Sequence, residues 1–141
     1  MIYLDTNIII YAIGKHSEYG KACEKILLDI ESGKLKASSS ILVLVEVINV
    51  LKKINKILKK EKKAQLDIKR NIDAILSLPI IWLELNFLII KIASEYDYDV
   101  SGVDYIHLSS MELNSIAKIV SADKEFDKIR FVERIDPLKY A

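Results

Sequence analysis

The first ten residues, MIYLDTNIII (residues 1–10), place one aspartate inside a largely apolar run. Ile2, Tyr3 and Leu4 are typical of a short, fully buried strand of a parallel sheet, and apolar residues resume after Asn7. Asp5 follows this strand directly. Ligands of parallel α/β sheets gather outside the carboxyl ends of the strands, so the position of Asp5 favours a role at that edge.

Strands and helices alternate along the rest of the chain. The apolar pattern predicts strands at residues 2–4, 35–39, 80–83, 116–121 and 131–135. It predicts helices from Ser17 to a stop near Gly33, at 41–58 behind a Ser40 cap, from about Ala64 to Ser77, at 86–96, from about Val103 to Asn114, and at most a short one at 124–128. Such alternation favours a parallel sheet that helices cover on both faces.

The composition is that of a compact globular protein. Apolar residues make up 51% of the 141 residues, and Gly and Pro are few, so we expect one domain spanning residues 1–141. The apolar stretches fall short of the roughly 20 residues that a membrane span needs. No basic cluster precedes the first apolar run, so a cytoplasmic protein without membrane contact is expected.

Four acidic residues stand out by their positions. Asp5 and Asp123 follow predicted strands, and Asp104 opens a predicted helix, so all three are expected at one edge of the sheet. Glu46 interrupts the apolar helical run ILVLVEVINV, where an unpaired carboxylate is costly. Each acid also has an ordinary explanation, because Asp favours helix N-caps and capping boxes, and Glu46 would sit on a partly exposed helix flank.

Carboxylates crowded within a few ångströms need protons or a cation. Oxygen ligands without a clear His or Cys partner suit Mg²⁺ or Mn²⁺ better than Zn²⁺. Such an ion activates water and neutralises charge on a phosphoryl group, so the four acids together point to nuclease chemistry.

The segments LDTNIII, SSSILVLVEV, SGVDYIHLSS and IVSADKEFDKI, in this order, resemble the PIN-domain family. In size the chain is most similar to VapC-type toxin ribonucleases of toxin–antitoxin pairs. The resemblance implies a three-layer α/β/α sandwich around a mainly parallel sheet of about five strands. It also implies a Mg²⁺- or Mn²⁺-dependent endoribonuclease in which Asp5, Glu46, Asp104 and Asp123 form the catalytic and metal-binding quartet.

The same resemblance assigns supporting roles and partners. Thr6, Asn7 and Ser121 match polar positions that support the acids, and Asp127 is a lesser candidate for the same edge. For His107, three residues after Asp104, a packing role is expected. An RNA substrate, a homodimer and a small antitoxin protein are the implied partners.

A lysine-rich segment is the candidate RNA-binding surface. Residues 52–70 carry nine Lys and Arg against Glu61 and Asp67. On a helix of 100° per residue, Lys53 lies about 20° from Glu46, and Lys56 and Lys60 continue the same basic face. These lysines are expected to bind RNA phosphates, with a merely solvated helix face as the alternative.

Three other functions compete with the toxin nuclease. Aspartate phosphohydrolases need Asp-x-Asp after the first strand, and Asn7 stands at the third position here, which argues against them. A PIN endonuclease of RNA processing and a non-catalytic RNA-binding PIN scaffold remain open.

Overall fold

The structure, a computed structural model, describes residues 1–140 and contains a five-stranded parallel sheet. The strands are β1 (Ile2–Leu4), β2 (Ala37–Ser40), β3 (Ile80–Leu83), β4 (Lys118–Val120) and β5 (Glu133–Ile135), in the spatial order β3-β2-β1-β4-β5. The helices are α1 (Thr6–Ile13), α2 (Gly20–Glu31), α3 (Ile41–Lys60), α4 (Ile68–Leu76), α5 (Phe87–Glu95) and α6 (Gly102–Leu113). Two 3₁₀ helices cover Lys124–Lys128 and Pro137–Lys139. The predicted α/β class with a parallel sheet is confirmed, and only Ala141 of the expected domain lies outside the described residues.

Side chains that alternate along β1 separate two cores. Ile2 and Leu4 pack into a cluster with residues of α1, α2 and α3, whereas Tyr3 packs with Leu108 and Met111 of α6. Successive residues of a strand point to opposite faces, so each face of the sheet needs its own helical cover. The result is the three-layer arrangement that the alternation of elements predicts.

The order of the strands places a ligand-binding edge beside β1. From β1 the chain proceeds to β2 and β3 on one side, and later to β4 and β5 on the other. The connections from β1 and from β4 therefore leave neighbouring strand ends in opposite directions, which opens a crevice at the carboxyl edge. Asp5 and Ser121 stand at the two strand ends that border this crevice.

The structure departs from the predicted elements at α1, for which no helix was predicted, and at the starts of α2 (Gly20 instead of Ser17) and α4. Residues 6–13 form α1, which the short run of three isoleucines does not distinguish from a strand. Helix α4 begins at Ile68 instead of near Ala64, because the Asn55 side chain exchanges two hydrogen bonds with the backbone of Leu66, at 2.8 and 2.9 Å. No helix forms until Asp67 caps α4 by accepting from the Arg70 amide.

The start of α6 lacks the capping hydrogen bond that the Ser-x-x-Asp sequence of residues 101–104 allows. Ser101 occupies the N-cap position with extended backbone angles, but its side chain makes no capping hydrogen bond. Asp104 is therefore not locked into a Ser-x-x-Asp capping box. Within residues 1–140 no helix is long and apolar enough to cross a membrane.

Candidate active site

A cleft of about 290 Å³ lies at the carboxyl edge of the sheet and gathers the four predicted acids. Asp5 comes from the end of β1, Glu46 from α3, Asp104 from the first turn of α6, and Asp123 from the loop after β4. The other residues that line the cleft are Thr6, Asn7, Ile10, Tyr11, Val50 and Ser101. Four segments far apart in sequence thus supply one acidic surface.

Asp5 joins the two central strand ends. Its Oδ1 accepts from the Thr6 amide at 2.7 Å and caps α1, while its Oδ2 accepts from Ser121 Oγ at 2.5 Å and from Asn7 Nδ2 at 3.2 Å. Asn7 also donates to Ser121 Oγ and accepts from the Ala122 amide. Asp5 therefore caps helix α1 and also lines the acidic cleft, so its role as a helix cap does not exclude a role in the site.

Asp104, Asp123 and Glu125 form the tightest acidic group. One ligand oxygen from each lies within 4.8 Å of the others. Asp123 caps the 3₁₀ helix by accepting from the Glu125 amide at 2.9 Å, and its own amide donates to Ser121 Oγ at 3.0 Å. Glu125 is not among the site residues that the sequence predicts. Its spacing two residues after Asp123, inside DKEFD, was the available signal.

Glu46 is anchored from two sides at one oxygen. Thr6 Oγ1 donates to Glu46 Oε1 at 2.9 Å, and the ring nitrogen Nε2 of His107 lies 2.7 Å from the same oxygen. His107 was expected to have a packing role. The structure adds a direct contact between its imidazole and a candidate catalytic carboxylate, although α6 and α3 pack into different core clusters.

The environment raises the pKa of two of the acids. Burial raises the pKa of Asp104 to about 6, and the negative charge of Asp5 adds to the effect. Burial also raises the pKa of Asp5, against the charge of His107 and the hydrogen bond from Ser121, which favour the ionised form. Burial disfavours a charged His107, but its hydrogen bond to Glu46 and the charges of Asp5 and Glu46 outweigh it, so the pKa of His107 is raised.

These properties fit a hard divalent cation. The group of Asp104, Asp123 and Glu125 offers only carboxylate oxygens, the donor type that Mg²⁺ and Mn²⁺ prefer. Raised carboxyl pKa values mean that the negative charges of the cleft are incompletely compensated by the protein itself. A bound cation would supply that compensation.

Asp127 and the three lysines predicted to bind RNA do not line the acidic cleft. Asp127 binds Arg134 Nε at 2.9 Å, and Arg134 Nη1 donates to the Ser121 carbonyl at 2.9 Å, so this pair braces the loop that carries Asp123. Lys56 lines a separate open pocket with Lys52 and Lys59, between α3 and α4.

Lys53 and Lys60 are exposed on α3, on the flank that continues from Glu46. Along the axis of α3, Lys53 lies nearest to Glu46, followed by Lys56 and then by Lys60.

The chain is similar to known proteins in two comparisons. The family model of the PIN domain matches residues 2–132. A solved toxin–antitoxin complex from Klebsiella pneumoniae is 16% identical, with a TM-score of 0.66 over 97% of this chain and 98% of that one. VapBC2 from Rickettsia felis, bound to a promoter DNA fragment, is 21% identical, with a TM-score of 0.66 over 96% and 98%.

A third solved structure has a higher TM-score. Mycobacterium tuberculosis VapC20, described as a toxin that cleaves the sarcin–ricin loop, is 17% identical, with a TM-score of 0.70 over 94% of this chain and 98% of that one. At these identities the similarity concerns the fold. A search of curated proteins found no match.

Proposed function

The chain belongs to the PIN-domain family, and on that premise we propose that it is a divalent-metal-dependent endoribonuclease that acts as the toxin of a toxin–antitoxin pair. Asp5, Glu46, Asp104 and Asp123 are the proposed catalytic and metal-binding residues. The observation that carries the proposal is the convergence of these four acids, from four separate segments, on one cleft.

Each acid has a proposed task that follows from its contacts. Asp104 and Asp123 hold Mg²⁺ or Mn²⁺ together with Glu125, and Asp5 contributes its charge from a position fixed by Ser121 and Asn7. A cation held by these residues would supply a water of lowered pKa and would offset the charge that develops on the phosphoryl group.

Glu46 keeps one oxygen free of protein hydrogen bonds within residues 1–140. That oxygen would be available to hold a second ion or to orient the attacking water.

The proposed substrate is single-stranded or exposed RNA. Lys53 and Lys60 extend along α3 from Glu46, so they offer phosphate contacts on the strand that enters the cleft. Lys53→Ala is expected to weaken RNA binding and to reduce the slope of log affinity against log salt by about one. Lys34→Ala, at the opposite edge of the sheet, is the matched control. An unchanged salt slope in Lys53→Ala would exclude this lysine from the RNA path.

The proposed partners follow from the toxin assignment. Two of the structures described above are toxin–antitoxin assemblies, which supports a small antitoxin protein as a partner of this chain, and a homodimer is proposed beside it. Apolar side chains are exposed on several helices, with Leu28 at 61% and Phe87 at 94%. Burial of such surface would stabilise an assembly, and light scattering on the protein alone and with a co-expressed antitoxin measures its mass.

An RNA cleavage assay tests the proposed activity. The wild-type protein should cleave RNA with Mg²⁺ or Mn²⁺ and stop when a chelator is added. Asp104→Asn should lose two or more orders of magnitude in rate, as expected when one ligand is removed from a charge-stabilising site. Asp97→Asn, an exposed aspartate outside the cleft, controls for charge loss and for contaminating nuclease. Equal rates in the two variants would refute the assignment.

The same assay separates the alternatives. A non-catalytic RNA-binding scaffold would bind RNA without metal-dependent cleavage. A PIN endonuclease of RNA processing would cleave, but its expression would not arrest growth and no antitoxin would relieve an arrest. Growth arrest that Asp104→Asn abolishes is the result that favours the toxin.

A further inference from the structure

Glu46 is the end of a chain of buried polar side chains that starts on the central strand. The hydroxyl of Tyr3 lies 2.5 Å from His107 Nδ1, and His107 Nε2 lies 2.7 Å from Glu46 Oε1. Tyr3 is completely buried and His107 is 1% exposed. Because the three side chains come from β1, α6 and α3, the chain of contacts forms only when the strand and the two helices are in place.

The contact with Glu46 defines the role of each ring nitrogen. A carboxylate only accepts hydrogen bonds, so His107 Nε2 carries a proton and donates to Glu46. His107 Nδ1 then either accepts from the Tyr3 hydroxyl or donates to it. In both cases Tyr3 fixes the imidazole from the side opposite Glu46, and the rings also meet edge to face with centroids 5.6 Å apart.

The two donors to Glu46 share one oxygen. Thr6 Oγ1 and His107 Nε2 both donate to Oε1, and in residues 1–140 no protein group donates to Oε2. The Glu46 side chain is 28% exposed, whereas the His107 side chain behind it is 1% exposed. One oxygen of Glu46 is thus held by the protein, and the other is available to the cleft.

We propose that His107 and Tyr3 are positioning residues of the nuclease, which hold the Glu46 carboxylate in the one orientation that leaves Oε2 for the reaction. This inference rests on the proposed function. A glutamate on a helix flank otherwise has several rotamers, and restricting them before RNA binds removes an entropy cost from the catalytic step. Outer groups of this kind typically change activity by about 10- to 100-fold when they are removed.

Two substitutions of His107 distinguish positioning from simple packing. A glutamine places its amide N–H near the position of imidazole Nε2, whereas an asparagine places it near Nδ1. Both side chains are polar, and neither has a much larger volume than histidine. A role in packing alone therefore predicts similar losses of kcat for the two variants. The positioning role predicts that His107→Gln retains most of kcat, whereas His107→Asn loses about 10- to 100-fold with an unchanged KM for RNA. Met111→Leu, one turn along α6, controls for a volume-conserving change in the same core.

A double-mutant cycle shows whether His107 acts through Glu46. In the Glu46→Gln background, His107→Asn should cause little further loss of kcat, because the carboxylate that it positions is gone. Losses that multiply in the double variant, or equal losses in His107→Gln and His107→Asn, would overturn the proposal.

A spectroscopic measurement provides a readout independent of cleavage. In ¹⁵N-imidazole NMR spectra of the full chain without metal, the Nε2–H proton of His107 should exchange slowly with solvent and should shift in Glu46→Gln. It should exchange faster in Tyr3→Phe, which removes only the hydroxyl. A His107 Nε2 without a bound, protected proton would refute the positioning role even if RNA is cleaved. A protected proton in a protein that cleaves no RNA would instead refute the proposed function and leave Glu46 with an anchored carboxylate of no catalytic use.

Discussion

Replacing Asp104 by asparagine should make the metal-free protein more stable while it abolishes the response to metal. The pKa of Asp104 is raised from its ordinary value of 3.8 to about 6, because of burial and the charge of Asp5. The folded state therefore holds a proton more tightly than the unfolded state, and this contribution to stability is complete below pH 3.8 and lost as the pH rises through about 6. Above that range the ionised Asp104 destabilises the fold.

The change in the free energy of unfolding follows from the raised pKa of Asp104. Each pKa unit corresponds to about 1.36 kcal/mol, so a shift of roughly two units gives about 3 kcal/mol for a fully buried group. The Asp104 carboxylate is partly exposed, and solvent screening reduces this to about 1–2 kcal/mol. Asparagine keeps an acceptor oxygen for the Ser101 side-chain hydrogen bond, which lowers the pKa of Asp104. Asp104→Asn should therefore raise the melting temperature by a few degrees at about pH 7.5 in chelator.

Urea unfolding in chelator, at several pH values between about 4 and 7.5, measures this difference. The gain of Asp104→Asn over wild type should shrink as the pH falls. Added Mn²⁺ should reverse the order, because a cation at one hundred times its dissociation constant stabilises the folded wild type by about 2.7 kcal/mol. Asp97→Asn should show neither effect. A less stable Asp104→Asn protein at about pH 7.5 in chelator would refute the reasoning that the cleft carries uncompensated charge.

Three further predictions concern the surroundings of the cleft. Ser121→Ala removes the donor to Asp5 Oδ2 and should lower the affinity for Mn²⁺ by about 10-fold or more, as measured by electron paramagnetic resonance. An unchanged affinity would exclude Ser121 from support of the site. Arg134→Met removes the hydrogen bonds that Arg134 makes to Asp127 and to the Ser121 carbonyl, and it should speed hydrogen exchange of the Asp123 amide. Exchange as slow as in wild type would show that other contacts fix the loop. Leu51→Ala leaves a cavity in the core beneath α3, and it should lower the free energy of unfolding by about 2–5 kcal/mol in a urea titration. A loss below about 1 kcal/mol would contradict the packing described for this helix.

The strands and the acidic quartet were predictable because each has a strong local signal. β1 and β3 agree with the predicted bounds, since short apolar runs next to polar residues are typical of buried strands. Ser40 caps α3 as predicted, with its hydroxyl accepting from the Leu42 amide at 3.1 Å. The convergence of Asp5 and Asp123 follows from the parallel sheet itself, which brings the carboxyl ends of its strands to one edge.

The features that sequence analysis did not predict depend on contacts between distant segments. The run of isoleucines in α1 fits a strand or a helix equally well, and only the Asp5 cap and packing against α2 and α3 decide in favour of the helix. The late start of α4 depends on Asn55, which reaches the backbone eleven residues later in the chain. The contact of His107 with Glu46 joins residues 61 positions apart, and helical spacing alone relates His107 only to its own helix.

The most direct test of the account is the location of a cation in crystals grown with Mn²⁺. Anomalous scattering should give a peak in the cleft, about 2.1 Å from carboxylate oxygens of Asp104 and Asp123, and the peak should vanish in Asp104→Asn. Crystals that contain Mn²⁺ at saturating concentration but no anomalous peak among these acids would contradict the assignment of the cleft as a metal-dependent nuclease site.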